Sequence, residues 1–274
     1  MKGRHDSETA KGSRDYLRQV RRYWDEANAA YLQHVASTFQ AGLVRTGSAE
    51  PTARASNLYL ASRAGIRPGH RVLDAGCGVC GPSIDIAGNL KTIALHCITL
   101  SGVQAEQGGR MVREAGLSDR ISVQQADFHD LPFAGRIFDV VIFFESSGYS
   151  YDLPKLFCEV HRVLRPNGTV YIKDVFAKEH CLSRQERREL ADFDRLFSSR
   201  TRPISQYEAA ISAAGFCGIQ SCDLTDRMST NHALRAMFDF TNRRLQLTTF
   251  GELHFRFYES LPTFFGEIRA KKAP

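Results

Sequence analysis

One stretch, Arg71–Pro82 (RVLDAGCGVCGP), constrains the fold more than any other part of the chain. Arg71-Val72-Leu73 ends a short apolar run and reads as a buried strand. Asp74 follows, then Gly76, Gly78 and Gly81, and Pro82 falls in the first turn of a helix expected over Ser83–Leu90. A strand that stops in a glycine turn beneath a helix N-terminus gathers backbone N–H groups and a positive dipole end at one spot. Such a spot suits a ligand with a polar or anionic end.

The spacing is formally G-x-G-x-x-G, which also marks dinucleotide-binding turns. Two features argue against a nucleotide diphosphate. Asp74 lies two residues before the first glycine, where it would repel pyrophosphate but pair with an ammonium. The second expected strand, Thr92–Thr99, closes in Thr99-Leu100-Ser101, without the ribose-binding acid that a dinucleotide fold uses about 20 residues on. A cofactor with an amino-acid head fits better. Cys77-Gly-Val-Cys80 is formally C-x-x-C, but it has no second pair at zinc spacing and lies inside the turn, so neither metal nor redox use is expected.

Composition narrows the class. The 274 residues, 43% of them hydrophobic, suit one α/β domain with additions. A formal charge of +6 permits an acidic substrate but does not require one. Lys and Arg are spread without a block of the nucleic-acid-binding kind, so no nucleic acid partner is expected. No apolar run reaches the about 18 residues of a membrane span, and residues 1–15 have no apolar signal core. Seven cysteines at irregular spacing read as free thiols in a reducing cytoplasm, the expected location.

In chain order, residues 1–12 read as a polar tail. Ser13 reads as the cap of a helix to about Val35, with Tyr16, Leu17, Val20, Tyr23, Trp24, Ala27 and Tyr31 at helical spacing. That aromatic stripe predicts a lid over the site or, alternatively, a homo-oligomer through this helix. Helices are expected over 51–64, 102–115 and 153–164, with a loop at 37–48. Strands are expected over 121–126, 138–144 and 169–175. Phe138–Phe144 (FDVVIFF) is almost wholly apolar and therefore central. The alternation predicts a doubly wound parallel sheet with ligands beyond the strand C-termini, where Asp74, Thr99, Asp127 and Glu145 lie. Past Val175 the pattern gives helices over 177–202 and 203–214, a strand over 218–224, a helix-like aromatic stretch at 231–260 and a last strand at 264–271.

Arg71–Pro82 resembles motif I of the class I S-adenosylmethionine methyltransferases. From about Tyr23 to Val175 the chain resembles the sterol C-methyltransferases and the bacterial prenyl or terpenoid C-methyltransferases, with cyclopropane-fatty-acid synthases more distant. Sterol enzymes read YYD ahead of a GCGVGGP turn; here stand Tyr23-Trp24-Asp25 and Gly76-Cys77-Gly78-Val79-Cys80-Gly81-Pro82, with Cys80 replacing a glycine. The family's T-L-S-x-x-Q matches Thr99-Leu100-Ser101 and Gln104. Its terpenoid E-S-S-x-Y matches Glu145-Ser146-Ser147-Gly148-Tyr149, and R-V-L-x-P-x-G matches Arg162–Gly168. The resemblance implies a Rossmann-like seven-stranded sheet with an N-terminal helical lid and a helical cap in the C-terminal half. The expected divisions are tail and lid at 1–64, cofactor core at 65–176, and cap helices with the remaining strands at 177–274.

The resemblance implies a role for each matched residue. Asp74 and the Gly76 and Gly78 backbone would hold the methionine amine and carboxylate of S-adenosylmethionine. Thr99, Leu100 and Gln104 would meet the ribose. Asp127 would accept from the adenine amine, with Phe128 over the ring. Glu145 would stabilise the carbocation left when an alkene takes a methyl group, and would remove a proton from it, with Tyr23 beside it as a second catalytic group. Tyr16, Trp24, Phe39, Tyr149, Phe193 and Phe197 would supply aromatic faces to substrate and cation. The favoured expectation is C-methylation of a small hydrophobic prenylated or terpenoid substrate, with or without cyclisation. If that substrate carries a diphosphate, Arg184, Arg187, Arg188, Arg200, Arg202, Arg243 and Arg244 are candidates to bind it. An O- or N-methyltransferase using His180, His232 or His254 as base is the alternative. A nucleic-acid enzyme would want D/N-P-P-Y/F where Phe144-Glu145-Ser146 stands.

Overall fold

The computed structural model describes the backbone of residues 2–47, 49–230 and 261–274, and their side chains from residue 11 onward. In chain order the elements are α1 (Lys2–Val35), β1 (Leu43–Val44), α2 (Ala53–Arg63), β2 (Arg71–Ala75), α3 (Gly81–Asn89), β3 (Ala94–Thr99), α4 (Gly102–Glu114), β4 (Ile121–Gln125) and β5 (Phe138–Phe144). A 3-10 turn at Ser147–Tyr149 follows, then α5 (Leu153–Val163), β6 (Leu164–Ala177), α6 (Arg184–Phe197), α7 (Ile204–Ala213), β7 (Phe216–Asp223), β8 (Met228–Ser229) and β9 (Thr263–Lys272).

Seven strands form one sheet in the order β4-β3-β2-β5-β6-β9-β7. β4, β3, β2, β5 and β6 pair in parallel. β9 runs antiparallel to both its neighbours, β6 and β7. The strands alternate their side chains between two apolar layers. Val140, Ile142 and Phe144 of β5 join the layer beneath α2 and α3, while Val141 and Phe143 join the layer beneath α5 and α7. The doubly wound, Rossmann-like sheet expected from the alternating elements is therefore present, with β2 and β5 adjacent at its centre.

Local chemistry sets the helix starts. Asp152 caps α5 by accepting from the Lys155 N–H at 3.0 Å, with Pro154 in the first turn. Ser183 and Glu186 cap α6 reciprocally. Ser101 caps α4, accepting from the Gln104 N–H at 3.0 Å. A third apolar cluster, outside the sheet, joins α1 to α6: Tyr23, Ala27 and Tyr31 pack with Phe193, Leu196 and Phe197. The aromatic stripe of α1 is thus covered within the chain. Among the described residues α6 is the cap helix that covers α1, while α7 packs on the sheet.

Several expectations are revised. The expected tail is the first part of α1, which starts at Lys2 and passes Ser13 without a cap. β6 starts at Leu164 rather than Thr169, and the register shifts opposite Phe138 and Val140 as Asn167 takes a φ of 63°. The expected loop at 37–48 contains β1, which pairs with β8. The aromatic stretch 231–260, and with it His232, His254, Arg243 and Arg244, lies outside the described residues. Among the described residues no helix is long and apolar enough to cross a membrane.

Candidate active site

The glycine turn sits where three segments converge. Gly76 follows β2 with a φ of 92°, and a Cβ there would fall 2.3 Å from the Ser146 Cβ. A Cβ on Gly81 would fall 2.1 Å from the Ser37 carbonyl oxygen. The turn is therefore pressed between the loop after β5 and the segment after α1, and only glycine leaves room for both.

A cleft of about 800 Å³ opens at this point. Asp74, Gly76 and Gly78 line one end; Thr99, Leu100, Gln104, Asp127 and Phe128 line the other. Leu17, Val20 and Trp24 of α1 also contribute to its wall. The Asp74 Oδ2 accepts from the Ser83 hydroxyl at 2.7 Å, and burial raises the Asp74 pKa well above the ordinary carboxylate range. The Thr99 hydroxyl donates to Gln104 Oε1 at 2.8 Å, which fixes both side chains. Asp127 is held by the His129 backbone N–H at 2.9 Å and the His129 ring Nδ1 at 2.7 Å. Its pKa is lowered, the hydrogen bonds from His129 outweighing burial, which acts in the opposite direction.

A second chamber of about 550 Å³ adjoins the first and shares Trp24, Phe39, Glu145 and Tyr149 with it. Tyr31, Phe193 and Phe197 add further rings, and Asp174 adds a second carboxyl. Trp24 stacks on Phe39 with centroids 6.2 Å apart and meets Tyr149 edge-on at 5.6 Å. Glu145 follows β5 with a φ of 58°, a left-handed conformation that costs a non-glycine residue on the order of 1–3 kcal/mol. Its carboxylate accepts from the Ala41 and Gly42 N–H groups and pairs with Lys173. Lys173 is fully buried, and its Nζ also donates to the Gly42 carbonyl at 2.6 Å and to Gln40 Oε1 at 3.3 Å. Asp174 accepts from the Ser147 hydroxyl at 2.6 Å, from the Gly148 N–H at 3.1 Å and from its neighbour Val175 N–H at 2.9 Å. Burial raises its pKa to about 6.

The structure thus gathers most of the expected site residues at one edge of the sheet, but Tyr16 and Tyr23 line neither chamber. Tyr23 is fully buried in the cluster between α1 and α6, edge-on to Trp24 at 5.1 Å. The Tyr16 hydroxyl donates to the Ser198 carbonyl at 3.0 Å, and the Arg200 guanidinium lies 4.1 Å from its ring centroid. Tyr23 supports the Trp24 ring from behind. Arg184, Arg187 and Arg188 stand on the exposed face of α6, and Arg200 and Arg202 donate to the carbonyls of Tyr151 and Ser150. His180 pairs with Glu186 away from both chambers.

Sequence reasoning missed Lys173, Asp174 and His129. The first two had a signal, an adjacent Lys-Asp pair inside the apolar run of a strand. His129, packed beneath Tyr151 with centroids 3.8 Å apart, had only its nearness to Asp127.

The residues fit an amino-acid-headed cofactor. Gly76 and Gly78 bring backbone without side chains to the cleft wall. Asp74 is a buried carboxyl lining the cleft, and an ammonium seated beside it would restore its charge.

Residues 73–172 match the family model described as a methyltransferase domain. Methyltransferase GfsG of Streptomyces halstedii is 30% identical over 244 residues, 86% of this chain and 85% of that protein. Sterol 24-C-methyltransferase ERG6B of Gibberella zeae is 33% identical over 165 residues, 58% of this chain and 42% of that protein. The chain spans about half the length of the sterol methyltransferases it matches. Geranyl diphosphate C-methyltransferase from Streptomyces coelicolor A3(2), solved with Mg2+, geranyl diphosphate and S-adenosyl-L-homocysteine, has the same fold. Its TM-score is 0.73 at 18% identity, covering 94% of this chain and 98% of that one. Matched over most of its length by one such relative and carrying the glycine turn with its acid, the chain belongs to the class I S-adenosylmethionine-dependent methyltransferases, and S-adenosylmethionine is its cofactor.

Proposed function

We propose that the enzyme methylates an alkene carbon of a small hydrophobic prenyl or terpenoid natural product, and that a carbocation forms on the substrate. One observation carries this reading: two buried carboxyls, Glu145 and Asp174, face a chamber walled by Trp24, Tyr31, Phe39, Tyr149, Phe193 and Phe197. When bound, the cofactor supplies an electrophilic methyl group. The protein's own task is then to hold the acceptor, exclude water and carry positive charge.

The charges suit that task. Lys173 sits behind Glu145 and neutralises it, so Asp174 leaves the chamber with one net negative charge above about pH 6. Ring faces in a dry chamber add up to about 2 kcal/mol each to cation binding. Asp174, held by Ser147, Gly148 and Val175, is the group we assign to accept the proton released when the cation collapses to an alkene. Glu145, whose oxygens are occupied by the Ala41 and Gly42 N–H groups and Lys173, orders the segment at Gln40–Gly42. Among the described residues no Lys or Arg lines either chamber.

O-methylation is the second reading. Its support is the same Asp174, whose raised pKa of about 6 also suits a base for a hydroxyl group. Incubation with carbon-13-methyl S-adenosylmethionine and a panel of prenylated indoles, prenylated polyketides and prenyl diphosphates decides between them. A labelled methyl bonded to carbon in the product is expected. A methoxyl or N-methyl product would overturn the C-methylation reading.

A further inference from the structure

Three buried thiols lie beneath the cofactor cleft. Cys77 and Cys80 belong to the glycine turn, and Cys97 comes from β3, where it pairs in register with Asp74. Their sulfurs all lie within 4.8 Å of one another, with Cys77 and Cys80 3.7 Å apart. The turn itself brings these two together, since the Cys80 N–H donates to the Cys77 carbonyl at 2.9 Å. The three differ in access. Cys80 and Cys97 are sealed, whereas Cys77 lines the cleft that the cofactor occupies. Cys97 lies against the Ser83 hydroxyl at 3.1 Å, and that hydroxyl holds Asp74. The cluster is therefore linked by contact to the residue that meets the cofactor's amine.

We infer that Cys77 and Cys80 are a redox modification site: peroxide entering through the empty cofactor cleft converts them to a disulfide, and bound cofactor shields them. The chemistry balances on the chain's own groups. The Cys77 thiol gives up its proton, its sulfur attacks one peroxide oxygen, and the O–O bond breaks to leave a sulfenic acid and one water. The Cys80 sulfur then attacks the Cys77 sulfur, the S–O bond breaks, and the departing hydroxide takes the Cys80 proton as a second water. Two thiols lose two electrons and one peroxide gains them. Hydrogen bonds from Cys77, then Cys97, lower the Cys80 pKa, whereas burial holds the Cys77 thiol well above its ordinary value. Closing the bond to about 2.05 Å moves the sulfurs together by about 1.7 Å, within a turn that has no slack at Gly76 or Gly81. Oxidation should therefore weaken cofactor binding.

The test uses the full chain with the exposed Cys158, Cys181, Cys217 and Cys222 changed to serine. The reduced protein is treated with hydrogen peroxide, alkylated and digested with trypsin without reduction. Cleavage after Arg71 and Lys91 releases residues 72–91 as one peptide with Cys77 and Cys80 but not Cys97. That peptide should be lighter by two hydrogens and should recover with dithiothreitol. Affinity for S-adenosylhomocysteine should fall at least about tenfold on oxidation, and prior saturation with it should slow the oxidation by a similar factor. Cys80→Gly, at a φ of 69° that glycine adopts freely, should bind within about threefold of the parent and lose its peroxide response. Both thiols of the peptide still alkylated after peroxide would overturn the inference. So would a cross-link to the Cys97 peptide, or a stoichiometric metal ion held by the three thiols as isolated. The peptide map does not depend on the acceptor or on turnover, so it can fail independently of the proposed function.

Discussion

The two ends of the active-site cleft are built in opposite ways. At the cofactor end the key groups come from short range: Asp74 and the glycine turn, Thr99 with Gln104, Asp127 with His129. Each polar side chain there is held by a partner no more than nine residues along the chain. At the acceptor end the partners are remote. Glu145 is held by the backbone at Ala41 and Gly42 and by Lys173, while Asp174 is held by Ser147 and Gly148. The rings come from α1, the loop after β5, and α6. On the proposed roles, a cofactor common to a large family would be met by a local motif and the acceptor by tertiary structure. Changes at the acceptor end should therefore disturb the fold as well as the chemistry.

The sharpest break in this comparison is Lys173→Met. It strands the Glu145 carboxylate in a site where the carboxylate side chain is 8% exposed and the lysine was fully buried. Removing one partner of a buried pair costs about 3–5 kcal/mol. Urea unfolding should show a loss of that size, and the double variant Glu145→Gln/Lys173→Met should regain most of it. A single variant as stable as the parent would mean that Glu145 is not paired as described. Glu145→Gln alone confounds folding with catalysis, since it leaves the ammonium unpaired.

Asp174→Asn separates the two. Turnover should fall about 10²-fold or more, the usual scale for a proton acceptor, while cofactor affinity stays within a few-fold. In the parent, kcat should decline as pH falls through about 6, the value at which burial leaves this carboxyl half-ionised. The stability linkage has the opposite direction. A folded pKa above the unfolded value of about 3.9 means that the native state binds the extra proton between about pH 4 and 6, so stability falls as pH rises through that window. Asp174→Asn should remove that dependence. A variant with parental turnover would exclude Asp174 as the proton acceptor.

The same contrast explains what was legible in the sequence. Phe138–Phe144 could be read residue for residue because a central parallel strand needs an unbroken apolar run, and nothing distant alters that need. The glycine turn and its acid were legible for the same reason: their signal is residue type and spacing. Tyr16 and Tyr23 share the helical stripe with Trp24, but their positions on α1 turn them toward α6 and the segment just after it. Periodicity cannot tell the ring that reaches the cavity from the ring that supports it. Lys173 and Asp174 were hidden because their partners, Gly42, Glu145 and Ser147, lie elsewhere in the chain.

At the cofactor end the expected effect is smaller and confined to binding. Asp74→Ala removes the carboxyl that would pair with the cofactor's amine, a charged hydrogen bond worth about 1.5–3 kcal/mol. Calorimetry should show S-adenosylmethionine affinity falling at least about tenfold, with the fold intact because Ser83 is the residue's hydrogen-bond partner. In the parent, the raised Asp74 pKa means that affinity should weaken as pH falls and the carboxyl takes up a proton. Affinity unchanged in the variant would remove Asp74 from cofactor recognition.

The smallest effect tests the joint between the two ends. Asp25 of α1 accepts from the Ser101 hydroxyl at 2.5 Å, and Ser101 caps α4 next to Thr99 and Gln104. This bond docks the helix that supplies Leu17, Val20 and Trp24 to the cofactor cleft. Ser101→Ala would remove the cap and the dock together, so it cannot separate them. Asp25→Ala keeps the cap and removes the dock, along with the half-exposed Arg21–Asp25 pair within α1. A single hydrogen bond contributes about 0.5–1.5 kcal/mol net, so cofactor affinity should weaken about two- to tenfold. Unfolding free energy should change by less than about 1.5 kcal/mol, because the α1 contacts with Phe193, Leu196 and Phe197 remain. If the loss appears in stability but not in cofactor affinity, α1 is a structural helix whose position over the cleft owes nothing to Ser101, and the lid depends on the aromatic cluster alone.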